Sequence, residues 1–184
     1  YVSTKTVAKD IRLNGGNIQF EGVPSTLDAA QTWTFSGTLT LATNSLSRNT
    51  INSAHFNRDI KLSGRVTGSN GFDYTGSTTG TGVNRYTVLT IANGANDFTG
   101  SIRHHRAIIR MSDGVNHGTL GNTSNEVNLV NASNITILDL FGTSQGIGAL
   151  NSAVTSGVNQ HFIQNNRTNT TSILTVGNGN ASGD

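Results

Sequence analysis

Residues 88–94 read Val-Leu-Thr-Ile-Ala-Asn-Gly, and residues 173–179 read Ile-Leu-Thr-Val-Gly-Asn-Gly, so the chain contains two near copies of one short segment. Each copy alternates apolar and polar residues and then ends on Asn-Gly, which is typical of a strand that runs into a tight corner. A second pair of similar segments is Asp-Tyr-Thr-Gly-Ser at 73–77 and Asp-Phe-Thr-Gly-Ser at 97–101, 24 residues later. That separation suits one turn of a β-solenoid. The repeats therefore predict short strands stacked in successive turns.

The composition favours strands over helices. Charged residues make up 12% of the chain, about half the ~25% of an average globular protein. The 22 glycines and the many Asn residues disfavour helix, whereas Thr, Val and Ile suit pleated strands. Because 34% of the residues are hydrophobic and fall in short alternating runs, we expect an ordered all-β fold rather than disorder.

The composition also excludes several classes of function. The chain has no cysteine, which excludes disulfides, thiolate metal sites and cysteine nucleophiles. Its formal net charge of +2 gives no reason to expect nucleic acid as a partner. No stretch approaches the ~18 consecutive apolar residues of a membrane span, so we do not expect this segment to cross a membrane.

Ten short strand candidates follow one another without a change in composition. The Gly, Asn and Ser clusters between them supply the positive φ angles that corners need. We therefore expect a single β-helical domain over residues 1–184. The strand candidates are residues 17–20, 32–35, 38–41, 60–62, 88–91, 107–111, 127–130, 135–140, 147–150 and 173–176.

A looser motif, an aromatic residue or Leu followed by Ser or Thr and then Gly, occurs at residues 35–37, 62–64, 74–76 and 98–100. If each copy marks one corner, the large side chain points inward and the glycine lets the backbone bend. At roughly 20 to 25 residues per turn, the chain would make about seven to nine turns. The last turn would have no cap, so we expect the chain to be a fragment of a longer repeat array.

Two longer segments resemble a known family. Residues 137–150, Ile-Leu-Asp-Leu-Phe-Gly-Thr-Ser-Gln-Gly-Ile-Gly-Ala-Leu, followed by residues 173–180, resemble the passenger-associated repeat of bacterial autotransporter-type surface proteins. The stretch from residue 89 to residue 121 is similar to the same unit, so the resemblance covers about residues 86 to 184. It implies a right-handed parallel β-helix that is exported and displayed on, or released from, the bacterial cell surface. The resemblance implies no catalytic activity.

Residues 142–146, Gly-Thr-Ser-Gln-Gly, fit the G-x-S-x-G pattern of a hydrolase nucleophile elbow. An elbow needs a helix after the motif, and then an acid and a histidine. No Asp or Glu lies between Ser144 and His161, and no helix is predicted after the motif. We interpret the motif as a turn, and we expect no catalytic residue and no enzyme activity.

The main concentration of positive charge is Arg103-His104-His105-Arg106, with Arg110 nearby. The candidates for contact with an acidic glycan or a partner are Arg103, His104, Arg106 and Arg110, and a solvated corner without a ligand is the simpler interpretation. Adjacent side chains on a strand point to opposite faces, so His104 and His105 are not expected to face one metal ion. A metal site would need a histidine from another turn.

Two further pairs of residues suggest chemistry. Asp73 and Asp97 are expected on the same side of neighbouring turns, about 5 Å apart, which is compatible with Ca²⁺ or a glycosidase carboxylate pair. Each also begins the same corner motif, so turn capping is the simpler interpretation. Trp33 and Phe35 share one face and are expected in the core rather than in a sugar-binding platform.

These features predict a non-catalytic, extracellular structural or adhesive β-helical protein without a cofactor: a surface stalk, an adhesin, or a matrix or fibre component. The expected partners are other copies of the chain, end to end or side by side, or cell-surface glycans and matrix. The alternative is a carbohydrate-binding or polysaccharide-degrading protein of the same fold. That alternative needs a groove lined with acids, arginines and aromatic residues.

Overall fold

The computed structural model describes residues 3–20, 31–43, 47–55, 58–77, 86–130, 135–152 and 160–178. Within these ranges the protein is all-β, and its parallel sheets stack as a β-solenoid of about five turns. The predicted fold class is therefore confirmed at the level of an all-β solenoid. The larger predicted number, about seven to nine turns, is not confirmed.

The strands are short because each spans one side of a turn before the chain reaches a corner. Their bounds are β1 Ser3–Val7, β2 Ile11–Asn14, β3 Asn17–Phe20, β4 Gln31–Phe35, β5 Leu39–Ala42, β6 Asn49–Ser53, β7 Arg58–Leu62, β8 Val66–Gly68, β9 Phe72–Thr75, β10 Val88–Ile91, β11 Ile102–Arg110, β12 Glu126–Leu129, β13 Ile135–Asp139, β14 Gln145–Ile147, β15 Ala149–Ser152, β16 Gln160–Gln164 and β17 Leu174–Val176.

Three sides of the solenoid are distinguished by strand pairing. The first sheet contains β1, β4, β7, β10, the second half of β11, β13 and β16. The second sheet contains β3, β6, β9, the first half of β11, β12 and β15. The third side is formed by the sheet β2-β5-β8 and the strand pair β14-β17. All pairings between these strands are parallel, as the coiling of successive turns requires.

The register places similar side chains above one another. In the first sheet a column of consecutive partners runs Trp33, Ile60, Leu89, Ile109, Leu138 and Ile163. The four central members are almost fully buried. Each such buried side chain contributes roughly 1.5 to 3 kcal/mol. Because these side chains lie above one another, the core is a stripe along the axis. Phe35 also belongs to this core, as predicted, whereas Trp33 is half-buried against Phe20, with ring centroids 5.8 Å apart.

The two pairs of similar segments found in the sequence do not occupy equivalent positions in successive turns. Residues 88–91 form β10 in the first sheet, whereas residues 174–176 form β17, which pairs with β14 on the third side. The similar segments at 73–77 and 97–101 also lie at different positions in their turns. Asp73 lies in β9, whereas the backbone N–H of Asp97 donates to the carbonyl of Val66, in β8. Turn lengths explain the difference, since register partners are separated by 20 residues at Val88 and Ile108 but by 33 at Asn17 and Thr50.

The prediction that this motif marks one corner is confirmed for two of its four copies. Phe35 and Leu62 are register partners, and the glycines that follow them, Gly37 and Gly64, lie in contact. A Cβ added at Gly64 would lie 1.9 Å from the carbonyl oxygen of Gly37, so this corner excludes any side chain. The copies that begin at Tyr74 and Phe98 lie on different sides of the solenoid, although both side chains are fully buried.

Buried amide side chains connect the turns where the strand ladders are interrupted. The Oδ1 of Asn125 accepts from the N–H of Gly100 at 2.9 Å, and its Nδ2 donates to the carbonyls of Phe98 and Leu120, both at 2.9 Å. Asn49, Asn96 and Gln145 make similar buried contacts at other corners. Because a buried backbone group without a partner is costly, these amides complete the hydrogen bonding of the corners.

We expect Gly64→Ala to destabilise the protein by about 1 to 3 kcal/mol, because the new methyl group would force two backbone segments apart. Gly16→Ala is the matched control, since a Cβ there would meet only Leu13 Cδ2, at 3.6 Å. Denaturant unfolding of both variants measures the difference. Equal stability of the two variants would show that the corners at residues 37 and 64 are not in contact.

We expect Asn125→Ala to cost about 2 to 3 kcal/mol of unfolding free energy, because it leaves buried backbone groups of two other segments without partners. The control is Asn166→Ala, whose side chain is exposed and should change stability by less than about 0.5 kcal/mol. Thermal and urea unfolding give both values. A loss at Asn125 no larger than at Asn166 would contradict the role of the buried amide.

Candidate functional site

The predicted ligand residues all lie on β11, the strand that passes from the second sheet to the first. Its register against β9 shifts between His104 and Arg106. This β-bulge interrupts the alternation of faces: Arg103, His105 and Arg106 are partly exposed, whereas His104 and Ala107 are buried. Regular alternation would place Arg106 on the inner face with His104, and the extra residue of the bulge brings it to the outer face instead.

His104 lies in the core and is separated from the other three candidates. Its side chain has 0% exposure, and its ring lies 5.4 Å from the ring of Tyr74. Its Nε2 lies 3.2 Å from the carbonyl oxygen of Arg106, which can only accept, so the neutral ring carries its proton on Nε2. Nδ1 is buried without a hydrogen-bond partner. Desolvation lowers the pKa of His104 to about 3, so the ring is neutral at physiological pH.

Arg110 lies beyond the bulge and has a structural partner. Its Nε donates to Oδ2 of Asp139 at 3.0 Å, and its guanidinium lies 4.4 Å from the ring centroid of Phe141. Asp139 is fully buried and also accepts from the backbone N–H groups of Phe141 and Asn166. Since an unpaired buried carboxylate would be strongly destabilising, Arg110 is committed to neutralising Asp139.

The outer face of the second sheet gathers basic side chains around Asp73. The Nε of Arg48 donates to Oδ1 of Asp73 in a short ion pair. The Nε2 of His105 lies 3.3 Å from Oδ2, and Nη1 of Arg103 lies 3.8 Å from the same oxygen. Arg48 is fixed further by Ser101, whose carbonyl oxygen accepts from Nη2 at 2.8 Å. We call Arg48, Asp73, Arg103 and His105, together with Arg106, which lies on the same outer face in register with Thr75, the Asp73 cluster.

The charge of Asp73 is maintained by its neighbours. Partial burial alone would raise the pKa of this carboxyl, but hydrogen bonds from His105 and Arg48 outweigh that effect and hold the pKa below its ordinary value. Asp73 is therefore ionised at neutral pH. The carboxylate of Asp73 has two guanidinium groups beside it, those of Arg48 and Arg103, and Arg106 lies further along the same face, so the formal charge of this surface is positive.

Sequence reasoning found Arg103 and Arg106 but missed Arg48, and it did not include His105 among the ligand contacts. Arg48 lies 25 residues before Asp73 and 55 before Arg103. Only the register, in which Thr50, Asp73 and Arg103 are successive partners, brings these residues together. The same column continues to Asn128 and Asn151, whose side chains share a 2.9 Å hydrogen bond.

The Asp73 and Asp97 pair expected from the sequence does not form. Asp97 is exposed and pairs with Arg65, whereas Asp73 lies on the second sheet with Arg48. The pair therefore offers neither a Ca²⁺ site nor two carboxylates across a sugar. Within the described ranges, no group of three or more His, Asp or Glu side chains is arranged to hold a metal ion.

The G-x-S-x-G segment forms a corner, as interpreted from the sequence. Phe141 and Gly142 both have positive φ, at 44° and 80°. The hydroxyl of Ser144 accepts from the backbone N–H of Ile173 at 3.2 Å. The next element is strand β14 rather than the helix of a nucleophile elbow.

A second surface feature is the loop between Met111 and Gly118. The Oδ1 of Asp113 accepts from the backbone N–H groups of Val115 and Asn116, and its carboxylate also pairs with Lys61. These contacts outweigh partial desolvation and lower the pKa of Asp113. The loop holds Val115 at its tip with 82% exposure, beside an open groove lined by Ser63, Asn93, Gly94, Asn116 and His117.

No protein-family model, curated protein or solved structure gives a significant match to this chain. Among the described residues, no helix has the length and apolar character to cross a bilayer.

We expect His104 to make the protein sensitive to acid. Its pKa is lowered in the folded state, so the stability that it contributes is complete above pH 6.5 and declines as the pH falls from 6.5 towards about 3. The expected slope from this one group is up to about 1.4 kcal/mol per pH unit. Unfolding free energies of the natural chain and of His104→Leu, measured from pH 7.5 to 4, should differ in slope over that window.

His117→Leu serves as the control, because His117 is exposed. Its profile should remain parallel to that of the natural chain. If His104→Leu is also parallel to the natural chain, His104 takes up a proton in the folded state and the buried neutral ring is excluded.

Proposed function

We propose that this chain is a non-catalytic, extracellular structural or adhesive β-helix domain, displayed on or released from a bacterial surface. The observation that carries the proposal is the continuous stacking of turns, in which a column of register partners runs from Trp33 on β4 to Ile163 on β16. A structure of this kind extends by adding turns, and it presents a long surface on a rigid support. The resemblance of residues 86–184 to passenger-associated repeats supports the same role.

The aspartates support a structural rather than a catalytic use of charge. Asp73, Asp97, Asp113 and Asp139 each form an ion pair with a neighbouring basic side chain. Asp73, Asp97 and Asp113 have lowered pKa values. A general acid needs a raised pKa to hold its proton near neutral pH. These carboxylates are therefore suited to fixing the surface of the solenoid.

Two finer features belong to the proposal: a right-handed coil and about seven to nine turns. Crossover connections between parallel strands are right-handed in about 98% of cases, which supports the handedness. The first sheet alone contains β1, β4, β7, β10, β11, β13 and β16, which supports the lower end of the range of turns.

Surface location is tested with antibodies raised against the purified chain. We expect them to label intact cells of the source bacterium, or to detect the protein in the culture medium, without permeabilisation. A cytoplasmic protein is the matched control and should be labelled only in permeabilised cells. Labelling that needs permeabilisation, with none in the medium, would overturn the extracellular assignment.

The absence of catalysis is tested with the purified chain and a panel of neutral and acidic polysaccharides. We expect no release of reducing ends and no unsaturated product above the buffer control, because the Asp73, Asp97, Asp113 and Asp139 carboxylates are held in ion pairs. Asp73→Asn is assayed in parallel. Turnover by the natural chain that this substitution abolishes would identify a polysaccharide-degrading enzyme and contradict the proposal.

A further inference from the structure

We propose that the outer face of the second sheet binds an acidic polysaccharide, with Arg103 and Arg106 as the principal contacts and Arg48 as their fixed neighbour. This inference gives the proposed adhesive role a class of ligand, and it rests on that role. The binding residues form part of the Asp73 cluster, on the side of the solenoid formed by β6, β9, β11 and β12.

The first observation is the irregular backbone that builds the cluster. The bulge at His105 places two consecutive side chains, His105 and Arg106, on the same outer face. Directly after it, Ala107 has a φ of 73°, in the left-handed region that non-glycine residues rarely adopt. Bulges that redirect a side chain and residues held in such conformations are enriched at functional sites. A regular strand would have left Arg106 on the other face.

The second observation is that two guanidinium groups have unused hydrogen-bonding capacity. The Nε of Arg106 is buried without a hydrogen-bond partner. Arg103 is 42% exposed, and its 3.8 Å approach to Asp73 is longer than a hydrogen bond. A guanidinium offers a planar fork of donors that matches a carboxylate or a sulfate, so an acidic group on a ligand can bind the exposed parts of Arg103 and Arg106, although not the buried Nε of Arg106.

The third observation is the balance of charge. Arg48 donates to Asp73 and Ser101, whereas Arg103 lies 3.8 Å from the Asp73 carboxylate. Arg103 and Arg106 are both partly exposed on the outer face. Glu126, the acidic residue of the neighbouring strand β12, comes directly before Val127, the register partner of Ile102. The net positive charge is local, which suits spaced acidic groups better than a continuous phosphate backbone.

The polar column through the cluster indicates a linear ligand. Thr50, Asp73, Arg103, Asn128 and Asn151 follow one another in register along the axis. Neighbouring strands are ~4.8 Å apart, so five positions cover roughly 19 Å. Amide, hydroxyl and guanidinium groups on such a line can meet the hydroxyls and acidic groups of an extended sugar chain.

A single-stranded nucleic acid fits this face less well. Proteins that bind single strands use exposed aromatic side chains on which the bases stack. Phe162, the exposed aromatic side chain among the large hydrophobic residues of the described chain, lies on β16 in the first sheet. The chain as a whole carries a formal charge of only +2.

The test uses the full chain and isothermal titration calorimetry with three oligosaccharides of equal length, from heparin, hyaluronan and dextran. Heparin carries sulfate and carboxylate groups, hyaluronan carries only carboxylates, and dextran is neutral. We expect binding to heparin, or to both acidic sugars, and none to dextran. Binding to heparin alone identifies sulfate as the recognised group, and binding to both identifies a general anionic group.

The decisive variant is Arg103→Ser/Arg106→Ser, for which we expect at least a tenfold loss of affinity. Its control, Arg12→Ser/Arg65→Ser, removes the same charge from the third side of the solenoid, where Arg12 lies on β2 and Arg65 pairs with Asp97. The control should bind within about twofold of the natural chain. Circular dichroism and thermal unfolding establish that both variants are folded.

Three results would overturn the inference: no binding of either acidic sugar, an equal loss in both double variants, or equally tight binding of single-stranded DNA that depends on Arg103 and Arg106. Each leaves the surface-labelling and turnover results unchanged. Results that contradict the acidic-polysaccharide ligand are therefore distinguishable from results that contradict the proposed structural or adhesive role.

Discussion

The parallel hydrogen-bond ladder between successive turns is the constraint on which the rest of the structure depends. Each strand satisfies the backbone of the turns beside it, and the inward side chains then form columns in the same register. Turn lengths nevertheless differ by more than ten residues, as the partners Val88 and Ile108, and Asn17 and Thr50, show. The corners absorb this difference with closely packed glycines and with buried amides such as Asn125.

Strand β11 shows how one local irregularity serves two purposes. Its bulge lets a single strand leave the second sheet and join the first, where it pairs with β10 and β13. Regular alternation before the bulge places His104 inward against Tyr74, and the bulge then turns Arg106 outward beside His105. One extra residue in the ladder therefore both moves the strand from one sheet to the next and adds Arg106 to the proposed ligand surface.

The strands that sequence reasoning located are those with clear apolar alternation. The candidates at 17–20 and 88–91 coincide with β3 and β10, and that at 135–140 matches β13 within one residue. Polar strands such as β6, with sequence Asn-Thr-Ile-Asn-Ser, were missed because one inward Ile gives little periodicity. The candidate at 147–150 was wrong as a single strand, since the chain turns at Gly148 between β14 and β15.

The sequence by itself determined that this chain is all-β and stacked, because Gly and Asn corners between short alternating segments leave few other ways to bury the apolar residues. It also located the basic segment around Arg103. Only the tertiary structure decided which residues share a surface: it separated Asp97 from Asp73 and brought Arg48 beside it. The physical reason is that register depends on the lengths of whole turns and on a bulge, and neither is encoded in a local pattern of residue types.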